Sequence, residues 1–380
     1  MSQEYLLTQD QLDLKQLARE FAENELRPVV RQCDIDGTFP MEVYKKAHEI
    51  GLSAAMFVPE EYGGLGLDIL TACIIREELA RIDAGFQVTI GSCGLSFTPL
   101  LLAGTDKQKK IAADILVNGG FGSYALTEPD GGSDAAHPST TAVKVGDEWV
   151  INGRKCFITN APLASYFVVF AATDKTAGPA GVTAFLVERE REGVSIGRHE
   201  DKIGIRLSQT SDVIFDDVHV PADHMIGQEG KGFKLAMSTL NLTRPGGSSA
   251  AVGIMQRCID ECIKYSKERV VFGKPISKQQ AVSFMIADME IKTQVARQMV
   301  HYCARTAQSG VSDRLIGAAA KCFCGDSVME IATNAVQVFG GYGYSRDYPV
   351  EKLMRDAKIY QIFEGTCQIQ RLTISGILLK

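Results

Sequence analysis

Apolar residues recur every three to four positions over residues 9–27, 40–49 and 69–81, the spacing that lines one face of an α-helix. The first 120 residues therefore read as helices joined by short breaks. One break, Val58-Pro59-Glu60-Glu61-Tyr62-Gly63-Gly64-Leu65-Gly66, is glycine-rich and reads as a loop, because glycine permits tight backbone turns. From about Gly120 the pattern changes to β-branched and aromatic runs. Gly146-Asp147 precedes Trp149-Val150-Ile151, and Asn152-Gly153 separates that run from Cys156-Phe157-Ile158-Thr159, which predicts a tight hairpin at Asn152-Gly153. Further strands are predicted over 166–170, 182–187 and 211–218, closing near 221–230, as a compact antiparallel sheet or barrel. From Phe233 onward helical spacing returns, with Val282, Met285, Met289, Ala296, Met299 and Cys303 on one face, a stripe expected to pack inside a bundle. The order is α, then β, then α, an α+β multidomain protein divided into 1–120, 121–232 and 233–380.

At 380 residues the chain exceeds what one core usually supports, in line with several packed domains. A charged fraction of 23% beside a hydrophobic fraction of 45% excludes a largely disordered chain. The net charge of −6 argues against nucleic acid or an anionic membrane surface as the main partner. Glu4, Asp10, Asp13 and Lys15 interrupt the leucines of the N-terminal stretch, so no leader is expected there. No apolar run is expected to reach the roughly 18 residues of a membrane span, and the expected location is cytoplasmic. The cysteines, Cys33, Cys73, Cys93, Cys156, Cys258, Cys262, Cys303, Cys322, Cys324 and Cys367, are scattered rather than set in a disulfide framework. Neither Cys258/Cys262 nor Cys322/Cys324 has paired zinc spacing or a nearby histidine, so no metal is expected.

Three segments carry candidate chemistry. Tyr124-Ala125-Leu126-Thr127-Glu128-Pro129-Asp130-Gly131-Gly132-Ser133-Asp134 joins a strand-like stretch to a turn, with glycines that admit a close ligand and hydroxyls on Thr127 and Ser133. Downstream, Phe157-Ile158-Thr159-Asn160 offers an aromatic face and a hydroxyl to a planar ring. Gln337-Val338-Phe339-Gly340-Gly341-Tyr342-Gly343-Tyr344 follows a helical pattern, and its clustered glycines point to ligand-contacting backbone. Neither the Rossmann nor the P-loop pattern is present. The sharpest candidate is Glu364, between Ile362-Phe363 and Gly365. Apolar neighbours would raise its pKa from about 4.3 toward the range in which a general base works at neutral pH.

The Thr127-Glu128-Pro129…Gly132-Ser133-Asp134 turn, Phe157-Ile158-Thr159, Arg269…Phe272-Gly273, Gln337-Val338-Phe339-Gly340-Gly341 and Ile362-Phe363-Glu364-Gly365-Thr366 together closely resemble the acyl-CoA dehydrogenases, particularly the medium-chain type, from end to end. The resemblance implies an N-terminal helical domain, a middle β-barrel-like domain and a C-terminal four-helix bundle, assembled as a homotetramer holding FAD. By the same resemblance Tyr124, Leu126, Thr127, Gly132, Ser133, Phe157, Ile158 and Thr159 line the flavin ring. Arg269, Phe272, Gln280, Gln337, Val338, Gly340 and Gly341 contact FAD from a neighbouring subunit, and Thr366 and Gln368 hold its adenosine half. Glu364 takes the position of the base that removes the α proton of the acyl-CoA while a β hydride passes to flavin N5. The backbone N–H of Glu364 and a ribityl hydroxyl polarise the thioester carbonyl, and electrons leave to an electron-transfer flavoprotein. Ser133, Asn241, Arg244 and Gly365 fall where the family touches substrate.

Departures from the pattern fall around the substrate. Asn241 replaces an aspartate of the medium-chain enzymes, Phe363 a common tyrosine, and the chain stops soon after Gly376. The stretch 86–101, which lines the acyl pocket in the family, carries Gln87, Thr89, Ser92, Cys93, Gly94 and Ser96. Gln87 stands where glutaryl-CoA dehydrogenases carry a carboxylate-binding arginine, so short, branched or cyclic acyl groups are expected ahead of dicarboxylic ones. The alternatives are an acyl-CoA oxidase or flavin monooxygenase on this scaffold, marked by oxygen consumption, and a non-catalytic helical scaffold, marked by a colourless protein.

Overall fold

The computed structural model describes residues 6–308 and 313–380. Met1 to Tyr5, part of the stretch read for a leader, lies outside them. Helix α1 (Gln9–Phe21) starts at Thr8, whose hydroxyl accepts from the Gln11 N–H while the Gln11 side chain returns to the Thr8 N–H, a reciprocal cap. It continues through a π-helical turn, Ala22–Leu26, into α2 (Arg27–Asp36), so the helix does not end at residue 27. Pro28 sits in the first turn of α2, where its missing N–H leaves no bond unmade, and Gly37, at φ 66°, stops it in the left-handed conformation. Helices α3 (Met41–Glu49), α4 (Ile69–Ile82), α5 (Ala84–Ala103) and α6 (Asp106–Val117) complete the first layer.

The expectation that no apolar run is long enough to cross a membrane is overturned by α5, which has the length and apolar composition of a span. Its polar residues had disguised it. In the fold α5 is mostly buried and packs on α4 and on the first strand.

Among the described residues an eight-stranded sheet fills the middle: β1 (Phe121–Ala125), β2 (Thr141–Val145), β3 (Glu148–Thr159), β4 (Ala164–Ala172), β5 (Val182–Glu188), β6 (Val194–His199), β7 (Thr210–Pro221) and β8 (Met225–Ile226). Their order is β6-β7-β3-β2-β4-β5-β8, with β1 also on β4. Two sequence expectations need correction. The sheet is mixed, because β1 and β2 both meet β4 in parallel. Asn152-Gly153 makes no hairpin: β3 runs straight through it, and the turn joining β2 to β3 is Gly146-Asp147. Gly153, at φ 146°, marks an irregularity in the β3–β7 register, the bulge use of a strand glycine. A Cβ there would lie 2.5 Å from Thr140 Oγ1. Asn152 instead binds the neighbouring strand, donating to Asp217 Oδ1 at 2.9 Å and accepting the Asp217 N–H at 2.8 Å.

The last third comprises α7 (Gly232–Glu268), the short pair β9 (Val270–Val271) and β10 (Lys274–Pro275), α8 (Gln280–Gln308), α9 (Arg314–Phe339), α10 (Val350–Ala357) and α11 (Cys367–Leu378). The predicted stripe on α8 packs inward, with Met289, Ala296 and Cys303 buried and Val282 and Met285 against the same core. Charged residues stitch the parts together. Lys352 on α10 meets Asp83, at the α4–α5 junction, at 2.6 Å and Asp356 at 2.5 Å. Asp356 Oδ1 also accepts the N–H of Ile205, between β6 and β7, at 2.6 Å.

Candidate active site

A cavity of about 200 Å³ opens where α4, α5, the loop after β1, the end of β3, α7 and the segment before α11 converge. It gathers Tyr124, Leu126, Thr127, Gly132, Ser133, Phe157, Thr159, Glu364 and Gly365, drawn from three separate sequence motifs. Ile158 points into the sheet and is buried. Phe157, at φ 54°, and Glu364, at φ 54°, both hold a left-handed backbone. That conformation costs on the order of 1–3 kcal/mol for a residue with a side chain and persists where the surroundings impose it.

The loop after β1 is held by a buried ion pair. Glu128 accepts from Lys155 Nζ at 2.7 Å, from the Ser139 N–H at 2.5 Å and from the Thr140 N–H at 3.0 Å. Lys155 also donates to the Leu126 carbonyl at 3.2 Å, and the Cys156 N–H reaches the Thr127 carbonyl at 2.9 Å. Burial works to raise the Glu128 carboxyl, but Lys155 and these donors hold it below its ordinary value. Of this motif the glutamate therefore builds the loop, while Thr127, Gly132 and Ser133 face the cavity.

Glu364 is the opposite case. Its carboxylate accepts no hydrogen bond from a described residue. Burial raises its pKa, opposed by the charges of Arg76, Lys321 and Arg244. Behind it, buried Gln370 donates to the carbonyls of Glu364 at 3.3 Å and Gly365 at 3.1 Å. Thr366 caps α11 through its hydroxyl. Room for the carboxylate comes from Pro245-Gly246-Gly247 in α7, where a Cβ at Gly247 would lie 2.3 Å from Glu364 Oε2.

The other expected residues lie elsewhere. Arg269, Phe272, Val338, Gly340 and Gly341 line a second, shallower cavity of about 630 Å³ with Tyr265, Phe339 and Tyr342. Phe272 is 90% exposed at φ 55°, and Arg269 sits 5.4 Å from the Tyr342 ring centre. Gln279 lines this cavity, whereas Gln280 starts α8 beside it and Gln337 lies in the last turn of α9 without lining it. Gln368 is exposed on α11. Asn241 accepts from the Arg244 guanidinium, and Arg244 is buried rather than a cavity wall. Arg76, Lys321 and the Gly246-Gly247 pair escaped the sequence reading; an arginine directly after the apolar run Ala72-Cys73-Ile74-Ile75 and a Pro-Gly-Gly inside a helical pattern were the available signals. Cys322 and Cys367 approach Asp326, but burial raises both thiols, Cys367 to about 11, and Arg371 holds Asp326 at 2.6 Å.

Helical, sheet and helical layers around a cavity holding a glutamate whose carboxylate accepts no hydrogen bond from a described residue define a class, and the comparisons identify it. The family descriptions "Acyl-CoA dehydrogenase, N-terminal domain", "middle domain" and "C-terminal domain" match residues 8–119, 123–218 and 230–379, and the chain belongs to this family of FAD-dependent enzymes. The short-chain specific acyl-CoA dehydrogenase of Clostridium acetobutylicum is 43% identical over 98% of this chain and 99% of its own. Butyryl-CoA dehydrogenase from Megasphaera elsdenii superposes with a TM-score of 0.95 at 42% identity, covering 98% of this chain and 99% of that one. A chain solved in work on the electron transferring flavoprotein of Acidaminococcus fermentans and flavin-based electron bifurcation gives 0.95 at 44%, with the same coverage.

Proposed function

We propose that the protein dehydrogenates a short acyl-CoA thioester between its α and β carbons, with Glu364 as the base. The observation that carries this reading is the Glu364 carboxylate, raised in pKa and unbonded, facing the residues that resemble a flavin-ring site. A base of raised pKa is matched to removing a weakly acidic proton. FAD, when bound, supplies the acceptor for the β hydride. Tyr124, Leu126, Thr127, Gly132, Ser133, Phe157 and Thr159 would hold its ring: nothing stands within 4 Å of where a Gly132 Cβ would be, and Phe157 is 65% exposed, a face suited to a planar partner.

No described acceptor takes the Glu364 N–H, which leaves that donor for the thioester oxygen as charge develops on it. Gln370 fixes the backbone around that donor, and Gly247 gives the carboxylate room to approach the α carbon. Ser133, Asn241, Arg244 and Gly365 would lie along the substrate. In our reading, domains 1–120, 121–232 and 233–380 assemble as a cytoplasmic homotetramer. Phe272, Arg269, Gln280, Gln337, Val338, Gly340 and Gly341 then reach FAD of a neighbouring subunit, and Thr366 and Gln368 its adenosine end. An exposed Phe272 held in a strained conformation supports such a covered contact. The relatives named short-chain specific and butyryl-CoA dehydrogenase support a short acyl group, and the Acidaminococcus neighbour supports an electron-transfer flavoprotein as acceptor.

The test is anaerobic mixing of the yellow protein with acyl-CoA thioesters of graded length, followed by electron-transfer flavoprotein. Bleaching of the flavin by short thioesters and reoxidation by the flavoprotein is the expected result. A flavin bleached by none of them, or reoxidised only by oxygen, would overturn it.

A further inference from the structure

Arg76 is a buried guanidinium that has no hydrogen-bond or ion-pair partner among the described residues, Glu364 acting on it only through space. Its residue is 8% exposed, it forms no ion pair with a described residue, and its Nε is buried without an acceptor. The neighbouring charges on α4 are engaged elsewhere: Glu77 meets Arg297 at 2.8 Å and Glu78 meets Arg19 at 2.8 Å. Successive helix residues point about 100° apart, so neither glutamate turns back to Arg76. The guanidinium lies over two glycines. A Cβ at Gly246 would lie 1.8 Å from Arg76 Nη1, and one at Gly91 would lie 2.5 Å from Nη2. Gly247, the next residue of α7, makes the same room for Glu364, so Arg76 and the base stand side by side against one helix.

Gln87 adds to this. It is 0% exposed, and neither its Nε2 nor its Oε1 has a hydrogen-bond partner among the described residues. A Gly91 Cβ would lie 3.0 Å from Gln87 Nε2, which places the amide beside the guanidinium. Both residues line the cavity that holds Glu364. Buried polar groups are almost always hydrogen-bonded, and leaving them without partners is costly. A fork of N–H donors beside an amide N–H is the arrangement that takes a carboxylate in bidentate fashion.

We infer that Arg76 and Gln87 form the binding site for a carboxylate at the far end of the acyl group, so that the favoured substrates are short dicarboxylic thioesters such as succinyl-CoA or glutaryl-CoA. This rests on the dehydrogenase reading of Glu364 and reverses the expectation drawn from Gln87 alone: the cation absent from α5 comes from α4. Glu364 and Arg76 then have separate tasks, one on the α carbon and one on the acyl terminus, and the substrate carboxylate gives Arg76 and Gln87 the hydrogen-bonded partner they lack among the described residues.

The experiment compares kcat/KM and anaerobic flavin bleaching for succinyl-CoA against butyryl-CoA and for glutaryl-CoA against pentanoyl-CoA, in the wild-type holoenzyme and in Arg76→Met and Arg76→Lys. The wild type is expected to prefer the dicarboxylic member of each pair by about 10⁴-fold, the scale on which a site with buried polar groups rejects a substrate that leaves them unpaired. Arg76→Met is expected to erase or invert that preference, and Arg76→Lys to restore part of it. A wild type that bleaches with butyryl-CoA and pentanoyl-CoA but not with the dicarboxylic thioesters overturns the inference and leaves the dehydrogenase reading standing. Equal losses on both members of each pair in Arg76→Met also overturn it, because they assign Arg76 to Glu364 alone. A wild-type flavin bleached by neither series overturns both readings.

Discussion

Two glutamates, Glu128 and Glu364, belong to segments that wall the same cavity, and their surroundings are inverted. Glu128 meets Lys155 at 2.7 Å and accepts two backbone N–H groups. Glu364 accepts no hydrogen bond from a described residue and feels Arg76, Lys321 and Arg244 only through space. One carboxyl is held below its ordinary pKa and the other is raised. A fully bonded carboxylate spends its charge on geometry, as Glu128 does in ordering the loop that carries Thr127 and Ser133. A carboxylate left without donors stays basic, and its proton affinity is available for chemistry.

Exchanging each charge for an amide separates the two roles. Glu364→Gln is expected to lower the rate of flavin bleaching by about 10³-fold, the scale of a lost general base. Its flavin content should stay close to wild type and its urea midpoint should not fall, because no described donor loses a partner. Stopped-flow absorbance with the best short thioester measures the first and absorbance with urea titration the second. A fully active Glu364→Gln would move the base to another residue. Glu128→Gln should do the reverse. It leaves Lys155 a buried cation facing an amide, a loss of about 3–5 kcal/mol when one member of a buried pair is removed. The readout is a lower urea midpoint with reduced flavin content; an unchanged midpoint would deny Glu128 its structural role.

Gly247→Ala sharpens the contrast without touching either charge. A Cβ 2.3 Å from Glu364 Oε2 must displace the carboxylate, and an ångström of misplacement costs about 100-fold in rate. The expected signature is a fall in kcat with little change in flavin content. Rates within a few-fold of wild type would mean that the carboxylate does not need the space above Gly247.

Much of this was legible in the chain. Helical and strand spacing marked the α, β, α order, and the motif around Glu364 stood out because a lone carboxylate among Ile362, Phe363 and Gly365 is unusual. What escaped depended on contacts between distant residues. Asn152-Gly153 has the composition of a hairpin, yet its neighbours in space, Thr140 and Asp217, use it as a bulge within one strand. The helix α5 hid behind Gln87, Thr89, Ser92 and Ser96, because a helix buried on several faces has no single apolar stripe to detect. Arg76 reads in sequence as one of three adjacent charges. Only the fold shows that its two neighbours form ion pairs and that Arg76 forms none with a described residue.

The smallest effect, and the most direct reading of the comparison, is in pH. Because Glu364 must be ionised to act, kcat/KM should rise with pH through its folded pKa, which lies above the ordinary carboxylate range since burial outweighs the three cations. Stability carries the opposite signs for the two residues. Glu364, raised on folding, contributes stability that is fully present below its unfolded pKa of about 4.3 and is lost as pH rises through the folded value. Glu128, lowered on folding, contributes stability present above about 4.3 and lost as pH falls through its folded value. Urea midpoints of wild type and both glutamine variants across a pH series test this. The deficit of Glu128→Gln should shrink on acidification below about pH 4, and Glu364→Gln should gain on wild type as pH rises above that range. Parallel curves for the two variants would mean that the carboxylates do not differ in the way their partners require.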